Sequence, residues 1–252
     1  MIRLDKLSKK FGQNYVVKQA CAEFVRSKVT AIIGPNGAGK STVLSMAGRL
    51  LTPDAGEVWI DSRALVDWNT KELAQHLSVL RQANSFTMRF TVKELVAFGR
   101  FPYSRGKLTV EDHNIIDQAL EYLDLTGLQD KYLDELSGGQ RQLAFIAMVI
   151  AQDTDYIFLD EPLNNLDIKH SLQIMHIIQK LAHELGKMVV IVIHDINFAA
   201  CYADNIIALK NGEIVAQGDT NSVIQADILQ QIYETPFRII EVEGKRMCLY
   251  HS

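Results

Sequence analysis

The most constraining stretch is Gly34-Pro35-Asn36-Gly37-Ala38-Gly39-Lys40-Ser41-Thr42, which has the spacing G-x-x-x-x-G-K-[ST]. Val29–Ile33 ahead of it is a short apolar, β-rich run, read as a buried strand, and Ser41–Ala47 behind it reads as the first turns of a helix. A strand, a glycine turn and a helix gather backbone N–H groups around one concavity at a helix N-terminus, which is an anion site before any side chain is considered. Gly34, Gly37 and Gly39 let the backbone curl tightly and approach phosphate oxygens that a Cβ would keep away. Lys40 is placed to reach β- and γ-phosphates and the Ser41 hydroxyl to ligate Mg²⁺. The expected ligand is therefore a nucleoside triphosphate with its metal.

The chain has 252 residues, 48% hydrophobic and 22% charged, enough to bury the core of one α/β domain or two joined subdomains. A net charge of −4 gives no broad attraction to nucleic acid. Cys21, Cys201 and Cys248 are widely spaced and are expected to be free thiols of a reducing compartment. The opening residues carry no apolar leader, and the longest apolar runs, Phe145–Ala151 and Met188–Ile193, fall short of the ~18 residues a spanning helix needs. A chain that does not itself cross a membrane is expected, although it can dock onto one that does.

In chain order, residues 2–5 and 15–25 read as strands, with Lys9-Lys10-Phe11-Gly12 between them. Phe11 either packs at a sheet edge or stacks on a nucleotide base. Residues 71–77 read as helix and Ser78–Gln82 as a strand. Gln82 at that strand's end faces a nucleophilic water, a Mg²⁺ shell or a neighbouring protein, or is simply solvated. From Thr87 to Gln152 the pattern turns helical, with a loop over Gly99–Lys107. The fold expected is α/β: a nucleotide-binding core with a mostly parallel sheet over residues 1–86 and 153–252, and an inserted helical subdomain over 87–152.

Leu136-Ser137-Gly138-Gly139-Gln140 opens a helix whose Leu143, Ile146, Ala147 and Ile150 recur on one face. Ser137 and the glycines make either a second anion-binding helix start or a plain N-cap. Tyr156–Glu161 is an apolar strand ending in the two acids Asp160 and Glu161, as in a central parallel strand whose C-terminal end meets the ligand. There Asp160 suits Mg²⁺ and Glu161 suits the proton of an attacking water. Asn164-Asn165-Leu166-Asp167 leads into the next helix, with Asp167 placed to cap it. Met188–Ile193 is another buried strand, ending in His194. Asp204–Ala216 reads as a hairpin turning at Lys210-Asn211-Gly212, Asn221–Tyr233 as a helix and Arg238–Tyr250 as a terminal strand pair.

These residues, in this order, resemble the ATP-binding cassette (ABC) ATPases of membrane transporters, over nearly the whole chain. The resemblance takes Gly34–Thr42 as Walker A, Gln82 as the Q-loop, Leu136–Gln140 as the signature, Tyr156–Glu161 as Walker B, Asn164–Asp167 as the D-loop and His194 as the switch histidine. It implies one cassette over residues 1–252, with a RecA-like P-loop core, an antiparallel β subdomain and a helical signature subdomain. It implies ATP and Mg²⁺ as cofactors. Phe11 then stacks on the base, residues 34–42 hold the phosphates, and Ser41, Gln82 and Asp160 surround the metal. Lys40, Gln82, Glu161 and His194 serve hydrolysis.

By the same resemblance Ser137, Gly138, Gly139 and Gln140 serve the nucleotide of a second, head-to-tail copy. The implied partners are that homodimeric copy, transmembrane permease subunits and, indirectly, a substrate-binding protein, with no nucleic acid, at the cytoplasmic face of the inner membrane. Glu161-Pro162-Leu163-Asn164-Asn165-Leu166-Asp167 and Val96–Tyr103 look like the ATPases of iron–siderophore importers; the alternatives are haem, cobalamin or metal-ion import, or a cassette outside transport.

Overall fold

The structure, a computed structural model, describes residues 1–82 and 89–250. Two compact units emerge, one of residues 1–68 with 175–252, the other of residues 69–174. The inner boundary expected at 86/87 lies outside the described residues.

In the first unit Val29–Ile33 runs parallel to Met188–Val192 on one side and to Asn205–Lys210 on the other, and Glu213–Asp219 pairs antiparallel with Asn205–Lys210. Every residue of Val29–Ile33 and of Met188–Val192 is buried, as strands covered on both faces must be. The hairpin joining the last two strands turns at Asn211 and Gly212, with φ 51° and 84°, the paired positive dihedrals of a tight type I′ turn.

A separate antiparallel sheet orders Asn14–Phe24, Ile2–Phe11, Ala55–Ile60 and Arg63–Ala64. Its first strand runs on to Phe11, which pairs with Asn14, beyond the end expected at residue 5. Register shifts after Leu4 and a φ of 50° at Lys6 account for this: a bulge breaks the alternation of side chains without ending the strand. The helix expected over Asn221–Tyr233 divides into Thr220–Val223 and Ala226–Tyr233. Asp219 caps the first piece by accepting from the Ser222 N–H at 3.0 Å. Between the pieces Ile224 leaves helical geometry at ψ 76° and is fully buried.

The second unit has the parallel pair Leu77–Leu80 and Tyr156–Asp160 and the helices Val92–Phe98, Val110–Tyr122 and Gly138–Ala151. Each helix starts with a capping box, Thr91 with Glu94, Thr109 with Asp112 and Ser137 with Gln140, so two of the orphan N–H groups at each start are met by the chain itself. The loop expected at Gly99–Lys107 contains a helical turn, Phe101–Ser104, with Pro102 in its first positions, where a fixed φ favours a helix start. Gly138–Ala151 was expected to bury one stripe, yet Leu143 to Ala147 are all buried. Helices Val92–Phe98 and Val110–Tyr122 pack on it, as does the strand Leu77–Leu80, so the middle of the helix is covered from several sides, while Gly138 and Arg141 near its start stay exposed.

A buried ion pair helps to hold this unit. Arg100 Nε donates to Asp112 Oδ1 at 2.8 Å and Arg100 Nη1 to the Ala151 carbonyl at 3.0 Å, with both residues about 5% exposed or less. The Thr109 N–H, and then Arg100, hold the Asp112 carboxyl below its ordinary pKa. Asp112→Ala strands a buried guanidinium and is expected to cost about 3–5 kcal/mol at neutral pH. A lowered carboxyl pKa stabilises fully above the unfolded value of about 4 and is lost as pH falls through the folded value, so the gap between wild type and variant closes in acid. Urea melts at pH 7 and below pH 4 check both statements; equal stability at pH 7 would refute the first.

Candidate functional site

In the first unit the phosphate loop is shaped by what lies behind it. Gly34 has φ 143°, and a Cβ there would sit 2.1 Å from the Leu209 carbonyl oxygen. At Gly39, φ 98°, a Cβ would meet the Val16 carbonyl oxygen at 2.6 Å. The loop is therefore pressed against the strands Asn14–Phe24 and Asn205–Lys210, with no room for a side chain at Gly34 or Gly39. Gly37, φ 77°, opens the other way, with nothing within 4 Å of its missing Cβ.

Gly39 is the N-cap of helix Lys40–Ala47 and so supplies no side-chain acceptor to the first N–H groups. An exposed Gly37 and a helix start capped by glycine leave space and positive potential for phosphate. Lys40 is 5% exposed and donates to the Gly34 and Pro35 carbonyls at 2.9 and 3.1 Å. Its charge thus lies across the loop, within reach of an anion seated there. The residues present fit a bound polyphosphate.

His194 and the loop leave neighbouring parallel strands at the same end. Ile32 pairs with Val192, and the Ile193 N–H donates to the Ile32 carbonyl at 3.2 Å. His194 is exposed, and Asp195 after it caps helix Ile196–Tyr202. Phe11, at the tip of its hairpin, is 54% exposed, so it is not the packed edge aromatic of the alternative reading.

In the second unit Leu80 pairs with Leu159, so Gln82 and Glu161 leave parallel strands side by side. Gln82 Nε2 donates to Glu161 Oε2 at 2.5 Å, and Asn164 Nδ2 adds a longer contact to the same oxygen at 3.4 Å. Glu161 itself adopts φ 52°, the left-handed region, at the sharp exit from the strand; such strain in a non-glycine residue concentrates at functional sites. Asp160 is 8% exposed, a hard oxygen donor of the kind Mg²⁺ takes.

Ser137 accepts from the Gln140 N–H at 3.3 Å while Gln140 Oε1 accepts from the Ser137 N–H at 3.1 Å. The signature is thus a true N-cap, and the Ser137 hydroxyl proton is not used in that cap. Asp167 Oδ1 accepts from the His170 N–H at 2.8 Å, capping the next helix as expected. That bond first, and the His170 ring second, hold the Asp167 carboxyl below its ordinary range.

Two participants escaped the sequence reading. Gly212, seen only as a turn residue, donates its N–H to the Ala38 carbonyl at 3.2 Å and so braces the phosphate loop. His170 packs its ring on Gly139. No local pattern announces either contact, since both join distant segments.

Lys40→Ala removes a buried charged donor and is expected to weaken ATP binding about 10–100-fold, the scale of a charge-assisted hydrogen bond. Gly34→Ala drives a Cβ into backbone and should abolish binding. Calorimetric titration with ATP checks both; wild-type affinity in either variant would break the assignment of the loop.

The ABC transporter family profile matches residues 17–164. The petrobactin import ATP-binding protein YclP of Bacillus subtilis is 53% identical over 252 residues, covering 100% of both chains. The ferric enterobactin transport ATP-binding protein FepC of Escherichia coli is 39% identical, over 95% of this chain and 89% of that one. Among solved structures, the dimeric ABC transporter cassette MJ0796 superposes with a TM-score of 0.78 at 33% identity, over 87% of this chain and 99% of the other. With the phosphate loop, the signature cap and the paired Gln82 and Glu161 in place, the chain belongs to the ABC transporter family of ATP-binding proteins.

Proposed function

We propose that the chain is the ATP-hydrolysing subunit of an importer that takes up an iron–siderophore complex through a membrane permease. The observation that carries the reading is the Glu161 carboxylate held by the Gln82 amide at 2.5 Å, in a chain alike from end to end to an importer's ATP-binding protein. The cargo follows the relatives, whose names specify petrobactin and ferric enterobactin import or transport, and petrobactin is the first to try.

The roles proposed follow the geometry of each half. Phe11 stacks on the base, and Gly34 to Thr42 wrap the phosphates. Lys40 neutralises charge that builds up during phosphoryl transfer, which is catalysed mainly by positioning and electrostatics. Mg²⁺ supplies further charge neutralisation when bound; Ser41 and Asp160 would hold it, with Gln82 at its water shell. Glu161 takes the proton of the attacking water and Gln82 orients the carboxylate. His194 contacts the γ-phosphate.

Residues 1–252 act as one cassette, with residues 87–152 as its signature subdomain. Ser137 to Gln140 complete the site of a second copy, so that two copies close head to tail around ATP, a reading supported by the dimeric cassette to which the chain is similar. No described helix is long and apolar enough to cross a membrane. By its likeness to an importer's ATP-binding protein, the chain is read as working at the cytoplasmic membrane face on permease subunits served by a substrate-binding protein, without nucleic acid.

Glu161→Gln is expected to keep ATP affinity and lose turnover by about 10²–10⁴-fold, the range of a general base, and to accumulate an ATP-held dimer on size exclusion. Unchanged hydrolysis would remove Glu161 from that role. In cells lacking the chain, uptake of radioactive iron as its petrobactin complex should fall and return with the wild-type gene but not with Glu161→Gln. Normal iron uptake beside a defect for haem or cobalamin would reassign the cargo.

A further inference from the structure

Gly139 and His170 occupy one point in space. A Cβ on Gly139 would lie 2.4 Å from His170 Cγ, 2.5 Å from Cδ2 and 2.8 Å from Nδ1. The imidazole therefore lies flat on the backbone of the helix start that Ser137 caps. The ring's Nδ1 stands 2.8 Å from Asp167 Oδ1, the same oxygen that accepts from the His170 N–H. That geometry sets the tautomer: Nδ1 carries the hydrogen towards the carboxylate. Gly138, next in line, is different, because a Cβ there meets nothing within 4 Å. Of the two glycines, one stays bare towards solvent and the other towards His170.

We infer that His170 is a positioning residue that ties the turn Glu161–Asp167 to the start of helix Gly138–Ala151 through one imidazole, its Nδ1–H on Asp167 and its ring on Gly139. The inference rests on the roles proposed above for Ser137 and Glu161. The consequence is mechanical. At one end of the turn stands Glu161, whose carboxylate Gln82 and Asn164 contact. At the other stands Asp167, fastened through His170 to the turn of backbone that Ser137 and Gln140 cap. Displacing the signature start drags Asp167 with it, and the strained exit at Glu161 is the joint that absorbs the movement. A ring that only filled space would need no bond to Asp167, and a ring that only capped a helix would need no contact with Gly139.

The test uses the full chain. His170→Ala breaks both contacts. His170→Asn keeps a donor in the position of Nδ1 and loses the ring. Gly139→Ala adds the Cβ that strikes the ring, at a helical position where alanine is otherwise the better helix former. Steady-state kinetics, hydrogen exchange and thermal melts are read together.

The expected result is a His170→Ala variant with kcat down about tenfold, the scale of a small misplacement of catalytic groups, and KM for ATP within about twofold. Exchange should speed up in both 137–141 and 162–167 for His170→Ala, but only in 137–141 for His170→Asn. Gly139→Ala should melt well below wild type, and Gly139→Ala with His170→Ala should recover most of that loss.

Wild-type kcat and protection in His170→Ala would overturn the inference. So would a double variant melting no higher than Gly139→Ala alone, or exchange unchanged in 162–167 for His170→Ala. If wild-type protein fails to hydrolyse ATP, the proposed function falls. Exchange and melting still decide the tie, because neither needs turnover.

Discussion

Everything in the first unit answers to one demand: a loop must bring its backbone to an anion, and to do so it must do without side chains on the side that faces the protein. The Leu209 carbonyl oxygen fills the space that a Cβ on Gly34 would need, and the Val16 carbonyl oxygen fills that of Gly39. The bond from the Gly212 N–H to the Ala38 carbonyl then fixes the loop to the turn of the neighbouring hairpin. The fully buried parallel strands make a rigid frame for this contact, and rigidity matters because hydrogen-bond donors stabilise developing charge best when they need not reorganise. Lys40 shows the other half of the arrangement. Its ammonium donates to two loop carbonyls and is almost fully buried, so its position is set by the loop itself.

The second unit holds its groups by a different device, the reciprocal helix cap. Three helices begin with paired side-chain and backbone bonds. In two of them the box merely starts a helix of the bundle. In the third, Ser137 and Gln140 use the same chemistry to present a helix N-terminus beside two exposed residues. A cap satisfies only part of the helix's unpaired N–H groups, so the positive end of the dipole remains available. The two readings of the S-G-G run, plain cap or anion site, are thus compatible: the box orients the serine and the dipole stays unspent.

Much of this was legible in the sequence, for identifiable reasons. Phosphate binding needs glycines and a lysine at fixed spacing, and parallel strands buried on both faces need continuous apolar runs, so Gly34–Lys40, Val29–Ile33 and Tyr156–Asp160 declare themselves. Gln82 and Glu161 were each legible as strand-end residues, but that they meet was not. What was not legible depends on distance along the chain. The strand Ile2–Phe11 looked shorter because a bulge at Lys6 disturbed its alternation. The helix Gly138–Ala151 looked one-sided because a single segment does not reveal how many neighbours it will have. Gly212 and His170 act on partners far away in sequence, and their residue types alone carry no such message.

The glycine of a motif is usually credited to the ligand, since a bare backbone lets a phosphate come close. Gly37 and Gly138 support that view, with open space where a Cβ would be. Gly34, Gly39 and Gly139 do not: each is hemmed in from inside the protein, by two carbonyl oxygens and an imidazole. The distinction changes what a substitution means. Alanine at an open glycine obstructs a ligand or strains φ and leaves the fold alone, whereas alanine at a hemmed one moves the element behind it. For Gly34 that element is the sheet itself, which yields little. For Gly139 it is a half-buried side chain at the end of a turn that starts with Glu161. Signature and carboxylate are then parts of one lever, and the histidine is the pin through it.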